Sequence, residues 1–100
     1  MARNLDGRTA VVTGASAGIG EATAHALAQE GAAVVLAARR RGRLDTIAAQ
    51  LEEKYGVDAQ GVRTDVRDES DVSGLIETTV ERFGGLDVLV NNAGLARGSD

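Results

Sequence analysis

Short apolar runs alternate with longer amphipathic stretches along the whole chain, and glycines lie at most of the junctions between them. The apolar runs predict four strands, at residues 10–13, 33–37, 59–63 and 88–90. The amphipathic stretches between these runs predict helices that end at Gly31, Gly56 and Gly84. The third strand is the weakest of the four because Gly61 interrupts it. Strands and helices that alternate in this way are typical of parallel βαβ units.

Apolar residues at helical spacing predict the face that each helix buries. For the first helix these residues are Ile19, Ala22, Thr23, Ala26 and Leu27, for the second Leu44, Ile47, Ala48, Leu51 and Tyr55, and for the third Val72, Leu75, Ile76, Val80 and Phe83. Asp68 is predicted to cap the third helix. Right-handed crossovers place the first two helices on one face of the sheet and the third on the other, with strand order 3-2-1-4.

The composition narrows the class of protein. One hundred residues make at most one modest domain, and with one Phe, one Tyr and no Pro its core has to be built from small aliphatic side chains. The absence of cysteine excludes disulfides and thiolate zinc sites. No apolar run approaches the roughly 18 residues of a membrane span, and residues 1–8 lack a signal-peptide core, so we expect a cytoplasmic protein without a membrane partner. The net charge of −4 argues against nucleic acid as the main partner, despite a basic patch at residues 39–43.

A glycine-rich junction joins the first predicted strand to the first helix. Gly14 permits a tight turn, Gly18 lets a ligand approach the backbone, and Gly20 lets the helix pack closely. The free amides and the dipole of such a helix start attract an anion, which predicts a site for a cofactor pyrophosphate. The residue type of Ser16 suits either a helix cap or a phosphate contact. An ordinary glycine-rich turn without a ligand is the alternative.

Arginines follow the second predicted strand, where folds selective for NAD carry a carboxylate. Arg39, Arg40 and Arg41 stand there without an acidic neighbour in sequence. A guanidinium can bind the 2′-phosphate of NADP with paired hydrogen bonds, so NADP(H) is the predicted cofactor. A solvated charged loop, or a weak nucleic-acid patch, is the alternative.

Two motifs together resemble the short-chain dehydrogenase/reductase family. They are Thr-Gly-Ala-Ser-Ala-Gly-Ile-Gly at residues 13–20 and Asn-Asn-Ala-Gly at residues 91–94, after the first and fourth predicted strands. The likeness extends over essentially the whole chain. With the element pattern it predicts an α/β fold of the Rossmann type, a doubly wound parallel sheet in three αβα layers. Residues 1–100 would form the N-terminal βαβαβαβ portion of an incomplete NAD(P)-binding domain.

The resemblance also implies which residues bind the cofactor. The residues near the pyrophosphate would be Gly14, Ser16, Ala17, Gly18, Ile19 and Gly20. Arg39 and Arg40 would lie near the 2′-phosphate, and Asp65 and Val66 near the adenine. The residues near the adenine ribose and central sheet would be Asn91, Ala93 and Gly94. Asp65 could instead only cap a turn, and the two adjacent asparagines could mainly stabilise strand ends.

The chain departs from the family pattern in two respects. Many relatives that use NADP carry a basic residue where Ala17 stands, so the cofactor prediction depends on Arg39 and Arg40. The catalytic Asn, Ser, Tyr and Lys of the family lie downstream of the Asn-Asn-Ala-Gly motif, so no catalytic residue is predicted here. Tyr55 and Lys54 are adjacent and point in different directions on a helix, which excludes a Tyr-x-x-x-Lys pair. His25 is expected to be a surface histidine.

These observations lead to one main hypothesis and two alternatives. The parent protein would transfer a hydride between NADP(H) and a carbonyl or alcohol substrate, and this chain would supply cofactor binding only. A non-catalytic NADP(H)-binding sensor or interaction module is the main alternative, and a methyltransferase-like fold is disfavoured by the basic residues after the second strand. The resemblance implies a homo-oligomer for the full-length parent, and residues 95–98 faintly resemble relatives that act on 3-hydroxy acids. The exposed edge of the fourth strand predicts that the isolated chain is poorly stable or aggregates.

Overall fold

The computed structural model describes residues 3–92, in which strands and helices alternate strictly. The elements are β1 (Thr9–Thr13), α1 (Gly18–Gln29), β2 (Ala33–Ala38), α2 (Leu44–Tyr55), β3 (Ala59–Arg63), α3 (Glu69–Phe83) and β4 (Val88–Asn91). Every predicted strand is present, and its observed bounds differ from the predicted ones by no more than one residue at either end. None of the helices within residues 3–92 combines the length and the apolar character that crossing a lipid bilayer requires.

The four strands form one parallel sheet in the order β3-β2-β1-β4, which confirms the predicted topology. In the register of the sheet Val11 of β1 lies opposite Val35 of β2 on one side and Leu89 of β4 on the other. Because all strands run in the same direction, their carboxyl ends meet at one edge. The loops that follow the strands therefore cluster there.

Alternate residues of the strands face two separate apolar clusters, one on each side of the sheet. The larger cluster joins Ala10, Val12, Val34 and Leu36 to buried residues of α1 and α2. The smaller cluster joins Val11, Val35 and Ala37 to Leu75 of α3. The helices thus lie as predicted, two on one face and one on the other, and the fold is a doubly wound α/β sheet of the Rossmann type.

The buried face of α1 differs from the predicted one. The helix buries Gly20, Ala24 and Ala28, whereas Ile19 is 68% exposed and Ala26 lies on the exposed side. Of the predicted residues Leu27 does pack against the larger cluster, but Ile19 and Ala26 do not face it. The prediction followed the apolar spacing, whereas the side that meets the sheet carries the smallest side chains. Residues without bulk at every fourth position let the helix axis approach the strands closely.

The buried face of α3 is also shifted from the prediction. Leu75 and Thr79 are buried, whereas Val80 is 45% exposed. Thr79 is accommodated because its hydroxyl donates to the carbonyl oxygen of Leu75 at 2.8 Å. The predicted cap is confirmed, since the Asp68 carboxylate accepts hydrogen bonds from the amides of Ser70 and Asp71.

Gly61 interrupts the apolar pattern of β3 without interrupting the strand. A Cβ atom at this position would lie 2.7 Å from the Cβ of Leu44, at the first residue of α2. The glycine therefore provides the space in which the start of α2 packs on β3.

Candidate functional site

The predicted site residues lie at the edge of the sheet formed by the carboxyl ends of the strands. Gly14 follows β1, Arg39 follows β2, Asp65 follows β3 by two residues, and Asn91 is the last residue of β4. Ala93 and Gly94, which were also predicted to contact the cofactor, lie outside the described residues. The strand order reverses between β1 and β4, and in sheets of this kind ligands bind in the crevice at that point.

The glycine-rich turn has the tight geometry that its sequence predicted. Gly14 has a φ of 65°, in the left-handed region that favours glycine. A Cβ atom at Gly20 would collide with the carbonyl oxygen of Gly14 and lie 2.8 Å from its carbonyl carbon. The first turn of α1 thus packs directly on the backbone of the preceding turn, an approach that only glycine permits.

The start of α1 leaves its amides without a capping side chain. The N-cap residue Ala17 has an extended backbone, and its methyl group cannot accept a hydrogen bond. The first bond within the helix runs from the amide of Glu21 to the carbonyl of Ala17 at 2.9 Å, so the amides before it have no partner in the helix. A Cβ atom at Gly18 would meet no atom within 4 Å, and Ile19 is exposed. Open space therefore lies beside amides that carry the positive end of the helix dipole.

Ser16 is half-buried beside this helix start. Its hydroxyl makes no hydrogen bond to another residue between 3 and 92, and α1 has no side-chain cap. Of the two roles that the sequence allowed for Ser16, the helix cap is therefore not observed. Contact with a phosphate stays a prediction.

The arginines that follow β2 differ in whether a carboxylate neutralises them. Arg41 pairs with Asp45 within the start of α2, with 3.4 Å between Nε and Oδ2, and Arg43 pairs with a carboxylate of α1. Arg39 and Arg40 are exposed and make no ion pair with any residue in the described range. Of the four arginines after β2, the two predicted to bind the 2′-phosphate are therefore the two that form no ion pair within residues 3–92.

Asp65 is held by its neighbour Arg67. The guanidinium donates to both carboxylate oxygens, from Nη2 to Oδ2 at 3.0 Å and from Nε to Oδ1 at 3.1 Å, and the Arg67 amide donates to Oδ1 at 3.0 Å. These hydrogen bonds, with a further contribution from the charge of Arg39, lower the pKa of Asp65 from 3.8 to about 2. Asp65 thus caps the turn after β3, which was the alternative role that the sequence allowed. Its contact with adenine stays a prediction, as does that of Val66, which is 41% exposed beside it.

A side-chain contact joins β1 to β4 at the edge of the site. The Thr13 hydroxyl donates to Oδ1 of Asn91 at 2.8 Å, and the two residues are partners in the register of the parallel strands. Sequence reasoning expected Asn91 to stabilise a strand end but did not identify Thr13 as its partner. The signal was present, since each residue is the last one of its strand. Nδ2 of the next residue, Asn92, is buried and has no hydrogen-bond partner within the described chain.

Tyr55 and His25 lie away from this edge. Tyr55 ends α2, which returns from the site to the opposite edge of the sheet. Its hydroxyl lies 2.9 Å from Nδ1 of His25, and the two rings meet edge to face with centroids 5.6 Å apart. His25 is thus half-buried and joins α1 to α2, and it is not the surface residue that the sequence predicted.

Comparison with known proteins identifies the family. The family model described as short chain dehydrogenase matches residues 8–100. The chain is 45% identical over 97 residues to the NADP-dependent 3-hydroxy acid dehydrogenase of Schizosaccharomyces pombe. This alignment covers 96% of this chain and 38% of that protein. It is also 45% identical over 94 residues to the farnesol dehydrogenase of Aedes aegypti, in an alignment that covers 94% of this chain and 38% of that protein.

A solved structure shows the same architecture. L-sorbose reductase from Gluconobacter frateurii, in complex with NADPH and L-sorbose, aligns with a TM-score of 0.83 and 43% identity, over 89% of this chain and 34% of that one. The chain thus spans little more than a third of the length of these relatives. With the family model matched over nearly all of its residues, the chain belongs to the short-chain dehydrogenase/reductase family.

Proposed function

We propose that this chain is the cofactor-binding part of an NADP(H)-dependent oxidoreductase that transfers a hydride between the nicotinamide and a carbonyl or alcohol substrate. One observation supports the proposal most strongly. A helix start with open, uncapped amides lies at the same sheet edge as two arginines that form no ion pair with the described part of the chain. A pyrophosphate and a 2′-phosphate on one dinucleotide need this combination of groups.

The residues present fit the diphosphate of such a cofactor. The amides at the start of α1 would donate to its oxygens, and the open space at Gly18 would admit it. Ser16, Ala17 and Ile19 would line the same turn, and the half-buried hydroxyl of Ser16 would add a donor. Gly14 and Gly20 would act indirectly by keeping the turn tight.

The 2′-phosphate would bind to Arg39 and Arg40, whose guanidinium groups have fixed paired donors. No acidic residue stands among residues 37–43 to repel this phosphate, in contrast to the carboxylate that NAD-selective folds carry after the second strand. The names of two relatives, one NADP-dependent and one solved with NADPH, support the same choice of cofactor.

The remaining predicted contacts complete the nucleotide. Asp65 and Val66 would contact the adenine from the loop after β3. Asn91 would contact the adenine ribose together with Ala93 and Gly94, and its hydrogen bond to Thr13 would fix its orientation. When bound, the cofactor supplies or accepts the hydride, and the residues of this chain hold it in place.

Catalysis and substrate choice belong to the whole protein in this proposal. The relatives include dehydrogenases and a reductase, and this chain covers little more than a third of their length. We propose that residues 1–100 contribute no catalytic residue, that the protein is cytoplasmic, and that it self-associates in its full-length form. A catalytically inactive NADP(H) sensor is the alternative. A Ser followed by Tyr-x-x-x-Lys in the coding sequence after Asp100 would support the reductase, and a long reading frame without them would support the sensor.

Titration of the protein from its complete reading frame with NADPH and NADH tests the choice of cofactor. We expect NADPH to bind more tightly, and Arg39→Ala to weaken NADPH binding about tenfold or more, because a charge-assisted contact is lost. NADH binding should change little. Arg41→Ala is the matched control, since the same charge is removed from an arginine already paired with Asp45. Equal affinities of the unmodified protein for the two cofactors would contradict the proposal.

A further inference from the structure

An ion pair connects the two parts of the proposed cofactor site. Nη2 of Arg43, in the loop after β2, lies 3.2 Å from Oε1 and 3.4 Å from Oε2 of Glu21, in the first turn of α1. Both oxygens of one carboxylate thus face one guanidinium nitrogen, across 22 residues of sequence. The pair joins the loop of the two unpaired arginines to the helix that carries the open amides.

The loop needs such a contact because little else fixes it. All five residues of the loop from 39 to 43 are exposed, between the buried end of β2 and the buried Leu44. Gly42 adds backbone freedom, and a Cβ atom there would meet nothing within 4 Å. Arg43, at the N-cap of α2, makes no side-chain capping bond. Besides its ends, the loop is held by one turn, in which the Leu44 amide donates to the Arg41 carbonyl oxygen at 2.8 Å, and by its ion pairs.

The two ion pairs of this loop differ in what they can fix. Arg41 pairs with Asp45, four residues further along the same segment. The side chains are 60% and 65% exposed, respectively, so this pair lies in solvent. In the other pair Arg43 is 58% exposed, but Glu21 is only 25% exposed and belongs to a different element. Solvent and salt screen the attraction less when one partner is shielded from them. Because Glu21 belongs to α1, its ion pair also restrains the loop relative to that helix. Among the ion pairs within residues 3–92, the pair of Glu21 and Arg43 is the one that joins the loop to α1.

We infer that Glu21 and Arg43 form a positioning pair for recognition of the 2′-phosphate, an inference that rests on the proposed NADP(H) function. The pair holds the loop of Arg39 and Arg40 against α1, so that a dinucleotide seated on the helix start finds both arginines at its ribose phosphate. The pair also neutralises a carboxylate in the first turn of α1, next to the place where the diphosphate binds. Neither residue needs to touch the cofactor for these effects.

The binding ratio of NADPH to NADH measures this role directly, because a merely structural contact would change both affinities alike. In the protein from its complete reading frame, we expect Glu21→Gln to lower the ratio about two- to fivefold, the range for exposed ion pairs. Arg43→Gln should lower it similarly, and the double variant should lower it no further than either single one. Glu81→Gln removes the same charge from an exposed position of α3 and should leave the ratio unchanged.

The outcomes separate this inference from the proposal beneath it. If the unmodified protein fails to prefer NADPH, both are overturned. If the preference is present and Arg39→Ala abolishes it, while Glu21→Gln leaves the ratio unchanged, only the positioning role is wrong. A higher ratio in Glu21→Gln would show that Arg43 itself binds the phosphate once released, which also overturns the positioning role. Thermal unfolding of each variant checks that a lowered ratio does not result from loss of folding.

Discussion

Single glycines in the turn after β1 have different physical reasons to be there. The Cβ that Gly20 lacks would collide with the backbone of Gly14, whereas the Cβ that Gly18 lacks would enter open space. Gly20 is thus needed for folding. Gly18 is needed only if a ligand occupies the open space, and in our account this ligand is the cofactor diphosphate.

Substitution of these two glycines by alanine should separate stability from binding. Gly20→Ala should lower the free energy of unfolding by about 1–3 kcal/mol, because an atom is forced against backbone. Gly18→Ala should leave it unchanged or raise it by up to about 1 kcal/mol, because alanine restricts the unfolded chain and favours the helix. Urea unfolding measures the free energy of unfolding of both variants. NADPH titration measures the cofactor binding that Gly18→Ala should weaken. Gly18→Ala that binds NADPH normally would contradict the assigned role of this turn.

The carboxyl group of Asp65 should titrate far below the usual range. Because the hydrogen bonds from Arg67 lower its pKa to about 2 in the folded protein, its stabilising effect is complete above the unfolded value of 3.8. That effect is lost as the pH falls from about 4 towards 2. NMR titration of the side-chain carboxyl carbon should show the low midpoint, and Arg67→Gln should raise it towards 3.8. A midpoint near 3.8 in the unmodified protein would show that the pair does not form in solution.

At the scale of elements, the strands were predictable, whereas the buried faces of α1 and α3 were predicted only in part. Buried parallel strands are apolar throughout, so β2 is visible in sequence as a continuous run. In α1 the apolar spacing of Ile19 and Ala26 competes with the small residues Gly20 and Ala24. Periodicity measures hydrophobicity and contains no information on how closely a helix approaches the sheet, which here decides the buried side.

Two alanines of α1 test this corrected orientation. Ala24 is fully buried against the sheet, and Ala26 is exposed on the same helix. Ala24→Leu should lower the free energy of unfolding by about 1–3 kcal/mol through overpacking, whereas Ala26→Leu should change it by no more than about 0.5 kcal/mol. Urea unfolding of the two variants measures both. The reverse order would restore the face that the sequence pattern predicted.

The candidate site was predictable in position and only partly in its contacts. Parallel topology brings the residues after each strand to one edge, so the locations of Arg39 and Asp65 followed from sequence. The contacts of Thr13 with Asn91 and of Glu21 with Arg43 depend on sheet register and on loop conformation. The strand ends gave a signal for the contact of Thr13 with Asn91, whereas the contact of Glu21 with Arg43 is set by tertiary packing and no local pattern shows it.

At the scale of the whole molecule, β4 forms one edge of the described sheet and exposes 56% of Leu89. An apolar edge strand can pair with another chain. We therefore expect the 100-residue chain to self-associate, and Leu89→Lys to reduce this association. Ala26→Lys changes the net charge equally at an exposed position of α1 and should have no such effect. Sedimentation velocity compares the variants, and a monomeric, cooperatively unfolding unmodified chain would refute the expectation.

A crystal structure of the protein with NADPH tests the central claim most directly, because the three phosphorus atoms can be located individually. We predict the diphosphate at the amides of Gly18, Ile19 and Gly20, and the 2′-phosphate within hydrogen-bonding distance of Arg39 or Arg40. Two results would contradict the account: a cofactor bound elsewhere, or a start of α1 occupied by the protein's own side chains instead of the diphosphate.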